Sequence, residues 1–584
     1  KIFPRTDIYD LRHLFDSIAG FLAILFAGLL AKKVGGWRTG YLALILLATW
    51  PQFFGQSMNN PKDIPFAFSY VFTIYYLLKL ATELPAPRTR TMLLAAFGIA
   101  LAINMRVGGL LLVGMLFAFV IGHFILSKPV RDAFAADKNS WGRMTKYLLL
   151  ISAAGYFGGL IFWPYGLQSP FSHPFVALSE ITNFSVNIRV LFDGRHLFSS
   201  EIPWNYLPTW LWVTTPLAVL LAALLHPFLL PVLRKHYSLS ALLLILFAAV
   251  FPWAYTVYKE SLLYDGLRQM LFLLPLLAVL AAVTWDYFFL AAQSNAAKIV
   301  VGVLLGAGLL LPLRFSIANH PNQYVYFNEL YGGIKKAYGN FDTDYYMNSI
   351  RENCEWLKKN VSVPEGKKLV IATNTADPVN WYLGRDTSKY KITFVRFNER
   401  TKKYYDYGIF FSRPLDRSQL LNNSWLGSHA IYRVTADGVP LSFVMERKDP
   451  SDFYGEQALE KNEFAKADSL FSLAVKHEPL NELTWFGLGM AQMQQQKLKE
   501  SIFSFQQSLQ LFPANTNATN LLGIAHAQSG NTEAAISLLS ESVKQNPNNP
   551  QAYYYLGMIY QQRGDRATAE RYFNIVKQLQ SMQK

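Results

Sequence analysis

The chain has 584 residues, too many for one ordinary domain, and only 16% of them are charged, against about 25% in a soluble protein. Its net charge of +15 would suit a nucleic-acid binder with basic residues gathered on one face. Here many sit in short loops between apolar runs, so a membrane explains much of the excess and nucleic acid is not an expected partner.

The single cysteine, Cys354, excludes an intrachain disulfide framework or a cysteine-built metal site. Residue 1 is lysine and no signal peptide is legible, so further chain is expected upstream of Lys1. Residues 11–315 are mostly apolar. Stretches of spanning length recur at about 14–31, 37–54, 64–82, 91–105, 108–126, 146–164, 208–226, 238–257, 269–286 and 299–315. These make roughly ten spans of the about 20 residues that a bilayer core requires. Loops after odd-numbered spans, such as "KKVGGWR" and "SKPVRDAFAADKNSWGRMTK", hold about 14 Lys and Arg in all. Loops after even-numbered spans, such as "NNPKD" and "YKESLLYDGLR", hold about 6. The positive-inside rule makes the first set cytoplasmic. Lys1 then starts outside, and everything after residue 315 is also outside.

"SMNNPKDIPF" at 57–66 puts Lys62 and Asp63 side by side at the outer mouth of the third span, where ionisable pairs are costly. Asn59 and Asn60 suit the capping of that turn, and Pro61 fixes it. On the same side, "DIYDLRHLF" places Asp7, Asp10, Arg12 and His13. "INMRVGG" places Arg106 at a Gly-rich break, and "YDGLRQMLFLLP" places Asp265 and Arg268. Each alone reads as an interfacial charge on a snorkelling stem. Together they predict an outer cavity of arginines and carboxylates. Such a cavity suits a phosphate-bearing ligand, because Arg meets phosphate bidentately. The outer loop at 165–207 has the aromatics and prolines of an interfacial belt, and re-entrant or interfacial helices are expected in it.

After the last span comes the polar, Tyr-rich "NHPNQYVYFNELYGG". Residues 366–447 then read as a small α/β module. "KLVIATN", "ITFVRF", "YDYGIFFS" and "AIYRVTADGVPLSFVMER" are its strands, the last split by an Asp437-Gly438 hairpin turn. It carries no nucleophile elbow, P-loop, HExxH or dinucleotide fingerprint. Beyond residue 447 the sequence repeats every 34 residues: Pro479, Pro513 and Pro547; Gly455, Gly489, Gly523 and Gly557; Ala467, Ser501, Ala535 and Ala569; Phe471, Phe505, Leu539 and Phe573. This is the tetratricopeptide pattern, with small residues where helices cross. Such arrays present a concave surface to protein segments.

The membrane stretches quoted above resemble bacterial members of the protein mannosyltransferase-like family, glycosyltransferase family 39. The resemblance runs through "DLRHLFDSIAGFLAILFAGLLAKKVGGWRTGYLALILLATWPQFFGQSMNNPKDIPFAF", "NMRVGGLLL", "YDGLRQMLFLLP" and "HPNQYVYFNELYGG". It covers about residues 5–350 and does not extend to the repeats. The fold expected is mainly α: a polytopic GT-C transmembrane helical domain over 1–315, an extracytoplasmic linker and small α/β module over 316–447, and an α-solenoid of tetratricopeptide repeats over 448–584. The chain is expected in the bacterial inner membrane, with residues 316–584 periplasmic.

The resemblance implies transfer of a sugar from a polyprenyl-phosphate donor on the outer face. It implies a general-base carboxylate in the first outer loop, expected upstream of Lys1 unless Asp7 or Asp10 takes its place. It also implies a second acidic site, which Asp63 matches. The reaction expected is glycosyl transfer with inversion. Asp63 and Lys62 are the catalytic candidates, and Arg106, Arg268 and Arg12 the donor-phosphate candidates. Asn59, Asn60, His13, Asp265 and Asp10 are cavity candidates. No metal motif is legible, although carboxylate oxygens would suit Mg²⁺ or Mn²⁺ as a cofactor. The acceptor is a glycan, a lipid or a protein, and the repeats should take a protein partner. Two other readings compete: an O-antigen ligase or polymerase, and a membrane-anchored scaffold without catalysis. A transporter is the weaker third, because no paired broken helices or internal symmetry are legible.

Overall fold

In hydrocarbon every backbone N–H and C=O must find its partner within the chain, so the apolar runs fold as helices. The computed structural model describes residues 7–182 and 187–582. The expected outer start at Lys1 and residues 183–186 of the outer loop lie outside the described residues. The chain divides into two compact units, Lys1–Asp342 and Thr343–Lys584.

The first unit begins with α1 (Ile8–Gly35), α2 (Trp37–Ala48), α3 (Pro51–Gln56), α4 (Asp63–Thr82), α5 (Thr89–Met105), α6 (Leu111–Leu126), α7 (Lys128–Ala136) and α8 (Asn139–Leu160). The outer loop forms α9 (Pro164–Gln168), α10 (His173–Thr182) and a hairpin of β1 (Arg189–Phe192) and β2 (Arg195–Phe198). Then come α11 (Tyr206–Thr214), α12 (Leu217–Leu233), α13 (Leu239–Tyr258), α14 (Leu274–Ala291), α15 (Asn295–Ala318) and α16 (Gly333–Ala337). Six segments among the described residues are long and apolar enough to cross a bilayer: Ile8–Gly35, Asp63–Thr82, Val107–Leu126, Leu239–Tyr258, Arg268–Ala291 and Asn295–Ala318. Trp37–Ala48, Thr89–Met105 and Leu217–Leu233 are apolar but shorter. Most of α4 and α14 is buried, whereas α15 is largely exposed; the two central helices are also those that lead into the site described below.

Two apolar runs are not the single spans their composition suggests. The run at 37–54 breaks at Trp50 and restarts at Pro51. The run at 208–226 breaks around Pro216, which has no N–H to continue a helical ladder. The carbonyls freed there are taken by Asn328. Its amide donates to the Trp212 and Thr215 oxygens, and its backbone N–H donates to Val213 O at 2.8 Å. The Tyr-rich stretch after α15 is therefore part of the helical unit rather than a surface linker. Tyr324, Val325, Tyr326 and Phe327 are buried. They lie so close to α3 that a Cβ on Gly55 would stand 2.6 Å from the Tyr324 nitrogen. The β1–β2 hairpin is a further difference: helices alone were expected in that loop. Its turn, Asp193-Gly194, has positive φ at both residues, which matches the twist of the flanking strands.

The second unit starts with α17 (Ser349–Asn360) and the strands β3 (Leu369–Thr373), β4 (Tyr390–Phe394), β5 (Tyr407–Phe411), β6 (Ala430–Ala436) and β7 (Val439–Glu446), with α18 (Ala376–Val379) and α19 (Arg417–Leu421) between them. The sheet order is β4-β3-β5-β7-β6. The first three strands are parallel, and β5, β7 and β6 are antiparallel. Ile350, Cys354 and Leu357 of α17 pack on Leu369, Ile371 and Ile409 to form its core.

The repeats follow as α20 (Ser451–Glu460), α21 (Phe464–His477), α22 (Glu482–Gln494), α23 (Leu498–Leu511), α24 (Thr516–Gln528), α25 (Thr532–Gln545), α26 (Pro550–Gln562) and α27 (Arg566–Met582). Their 34-residue period is a packing rule. Gly455, Gly489 and Gly557 lie against the rings of Phe471, Phe505 and Phe573, and Gly523 lies against Leu539. A Cβ at any of the four would press into its partner, so the small residue and the large one recur together.

Module and first repeats are joined by a buried ion pair. Arg400 donates to both Glu482 oxygens, at 2.9 and 2.6 Å, and to Asn481 at 2.9 Å. Its guanidinium lies 4.1 Å from the Phe397 ring centre. Gln419 supplies a further hydrogen bond to Glu482 at 3.0 Å.

Candidate functional site

Asp63 is the first residue of α4, where a carboxylate meets the positive end of the helix dipole. The loop before it supplies the cap that its position requires. Asn60 Oδ1 accepts the Asp63 N–H at 3.0 Å. The Asn60 amide donates to Asp63 Oδ2 at 3.0 Å and to Gln56 Oε1 at 2.9 Å. Asp63 is 2% exposed and Asn60 1%. A carboxylate so buried is stable only beside compensating charge.

That charge comes from two other elements. Arg106 follows α5 in extended conformation, between the helix and a single 3-10 turn at Val107–Leu110. The break is possible because Gly109 packs directly on the Ala102–Ile103 backbone, where a Cβ would collide. The Arg106 side chain pairs with Asp63 Oδ1. Arg268 opens the 3-10 turn that leads into α14. Its Nε donates to Asp63 Oδ2 at 3.2 Å, and its Nη1 donates to Asp265 Oδ2 at 2.9 Å. Asp265 and Gly266 both take positive φ, a tight left-handed turn that swings the Asp265 carboxylate back toward Arg268. Tyr206 holds this turn by accepting the Gly266 N–H at 3.1 Å.

Lys62 stands at the rim, in solvent contact but partly covered. Burial, and then the Arg106 guanidinium, push its pKa below the ordinary lysine value; Asp63 opposes them and Arg268 adds to them. Three cations, Lys62, Arg106 and Arg268, thus face two carboxylates, Asp63 and Asp265. Among these five groups cations outnumber carboxylates by one.

The structure therefore brings together Asp63, Lys62, Arg106, Arg268, Asp265 and Asn60, from three separate stretches of sequence. Asn59 belongs to the same loop. Asp10, Arg12 and His13 ride on the first turns of α1, with Arg12 5.6 Å from the Tyr9 ring centre. That end of α1 touches the loop one turn later: Ser17 Oγ lies 3.2 Å from Met58 Sδ, and Gly20 packs on Ser57. Two further buried polar residues were not foreseen. Gln56 ends α3, with nothing in its local sequence to mark it. Asp16 is 2% exposed on α1, and a lone carboxylate inside "LFDSIAGFLAIL" was a legible signal.

Both Asp63 oxygens already face guanidinium groups, and an added Mg²⁺ or Mn²⁺ would be repelled at that carboxylate. Among the described residues no group of three or more His, Cys, Asp or Glu is placed to hold a metal.

Two stretches of the chain match known protein families. Residues 12–157 match the family described as Dolichyl-phosphate-mannose-protein mannosyltransferase. Residues 455–583 match the family described as Cytochrome c-type biogenesis protein H TPR domain. No curated protein matches the chain. Among solved structures, MamA is 19% identical over 22% of this chain and 75% of its own, with a TM-score of 0.22. MamA 41-end from Desulfovibrio magneticus RS-1 is 21% identical over 23% of this chain and 76% of its own, with a TM-score of 0.23. YrrB, described as a TPR protein with an unusual peptide-binding site, is 20% identical over 23% of this chain and 68% of its own, with a TM-score of 0.21. The chain therefore carries a membrane segment with a match to a mannosyltransferase family and, after it, a match to a tetratricopeptide domain.

Proposed function

We propose that this chain is an inverting glycosyltransferase of a bacterial inner membrane, moving a sugar from a polyprenyl-phosphate donor to an acceptor on the periplasmic face. The observation that carries the reading is the Asp63–Arg106–Arg268 centre. Asp63 begins α4, Arg106 ends α5 and Arg268 precedes α14, so all three gather at one end of the bundle. By the charge of the loops, that end is the outer one. A sugar phosphodiester carries one negative charge, which matches the excess of one cation over the carboxylates of the centre. As the glycosidic bond breaks, charge grows on the departing phosphate, and preorganised guanidinium groups stabilise it most then. The lipid tail meanwhile stays in hydrocarbon beside the helices.

In this reading Asp63 is a positioning residue. Both its oxygens hold arginines, and it fixes where their remaining donors point. The general base that takes the acceptor's proton belongs to the first outer loop, as the family resemblance implies. The tetratricopeptide array supplies the other half of the reading: it binds a protein partner, with residues 316–584 in the periplasm.

The reading is tested by incubating membranes that contain the chain with a polyprenyl-phosphate hexose labelled in the sugar. Label should appear in an acceptor fraction, and its partition among lipid, glycan and protein fractions identifies the acceptor class. Label that stays on the polyprenyl lipid across a panel of hexoses would contradict it.

A further inference from the structure

The centre described above explains how a phosphate is held but not how a sugar is recognised. The answer lies in buried polar atoms that the fold leaves unused. Among the described residues, Asp16 Oδ2, both amide atoms of Asn59 and Arg106 Nε are buried without a hydrogen-bond partner. Folded proteins satisfy about nine in ten such groups, and leaving one unmet is costly. All these atoms belong to the neighbourhood of one loop. Asn59 is four residues before Asp63, and Arg106 pairs with Asp63.

Asp16 reaches the same loop from α1. It shares the buried face of that helix with Gly20, Ala23 and Ala27. Gly20 packs on Ser57, and Ser17 meets Met58 at 3.2 Å. The loop therefore runs along α1 from the level of Gly20 toward that of Ser17 as it approaches Asn59. Asp16 is one helical turn, about 5.4 Å, beyond Gly20 in that direction.

A leucine would serve packing better than a carboxyl group here, because a buried polar atom without a hydrogen bond is costly. The unmet Asp16 Oδ2 is open to a hydrogen-bond donor that arrives with a ligand. A carboxylate accepts hydrogen bonds from hydroxyls, and a carboxamide both donates and accepts. Together the two groups offer the donor and acceptor pattern of a polyol. Arg106 links the pattern to the phosphate centre, and in a glycosyl phosphodiester the sugar hangs directly from the phosphorus.

We propose that Asp16 and Asn59 form the subsite that holds hydroxyls of the donor sugar, next to the phosphate centre of Arg106 and Arg268. The proposal rests on the phosphate reading above and adds the recognition of the sugar to it. A site that bonds a hydroxyl rejects the analogue lacking it, because its own buried groups are then left unpaired.

The test is thermal unfolding of the purified full-length chain in nanodiscs with three probes. These are bare polyprenyl monophosphate, a panel of polyprenyl-phosphate gluco-, manno- and galacto-hexoses, and the deoxy analogues of the best of them. Wild type should be stabilised by the bare lipid phosphate, more by one hexose donor, and less by a deoxy form of it. Asp16→Leu should unfold at a higher temperature than wild type without ligand, since it loses a buried carboxyl oxygen that has no hydrogen-bond partner. It should keep the shift with bare polyprenyl monophosphate and lose the extra shift from the sugar. Asp16→Asn and Asn59→Ala should weaken the sugar-bearing donor about 10- to 100-fold and leave the bare lipid phosphate unchanged. If Asp16→Leu does not fold, these two variants carry the test. An equal sugar-dependent shift in wild type and in both of these variants overturns the subsite and leaves the phosphate reading intact. No shift of wild type with bare polyprenyl monophosphate overturns the phosphate reading first, and this proposal with it.

Discussion

Asp63→Asn is expected to lower transfer from a polyprenyl-phosphate sugar by at least about 100-fold, an effect of about 3 kcal/mol on the barrier. Asparagine preserves the shape of the side chain and the bond from Asn60, but it no longer neutralises Arg106 and Arg268. The two guanidinium groups then repel each other and turn away from the positions where a departing phosphate meets them. The fold should suffer as well. Removing one member of a buried ion pair costs about 3–5 kcal/mol. The lower end applies, because the Arg106 and Arg268 side chains keep 20% and 26% of their exposure. A second substitution separates the two effects. Asp63→Asn combined with Arg106→Gln removes the surplus charge, so stability should return while transfer stays low. Thermal unfolding and transfer measured on the same preparations check this. Wild-type transfer by Asp63→Asn would remove Asp63 from the machinery.

The second large effect is expected at Arg400, far from that chemistry. Its guanidinium and the Glu482 carboxylate are 5% and 1% exposed, so neither has water to fall back on. Arg400→Met leaves Glu482 buried against Gln419 alone and should destabilise the second unit by about 3–5 kcal/mol. The unit would become sensitive to protease between Phe397 and Glu482. Arg400→Met with Glu482→Leu removes both charges and should restore most of the loss, because an apolar pair of similar volume is often as stable. Proteolysis and thermal unfolding of the full chain distinguish these outcomes. A single Arg400→Met variant as resistant as wild type would show that the pair contributes little to holding the module against the repeats.

Much of this architecture was legible before any coordinates. The strands from Leu369 to Glu446 follow alternating apolar runs, and the Asp437-Gly438 turn lies where a hairpin signal predicts it. The repeats were readable from period alone, because the Gly–Phe packing constraint returns every turn of the array. The charged site was legible in composition: Asp63, Arg106 and Arg268 are charges in places where charge is expensive. Which of them pair was not legible, since that depends on the Gly109 break after α5 and on the left-handed turn at Asp265-Gly266. Three things stayed hidden for identifiable reasons. Pro216 divides what looks like one span, and only Asn328, more than a hundred residues later, makes that break tolerable. The hairpin at Asp193-Gly194 carried its own turn signal inside a loop read for its aromatics. Asp16 was passed over because it sits inside an apolar helix, while attention went to the charges at its end.

The account stands or falls on whether the two arginines read a lipid phosphate. Equilibrium binding of radiolabelled bare polyprenyl monophosphate to the purified chain, wild type against the Arg106→Gln and Arg268→Gln double variant, asks this without requiring the sugar or the acceptor. The account predicts saturable binding by wild type and at least about 100-fold weaker binding by the variant, from two lost charge-assisted bonds. Equal affinity in a double variant that remains folded would contradict it.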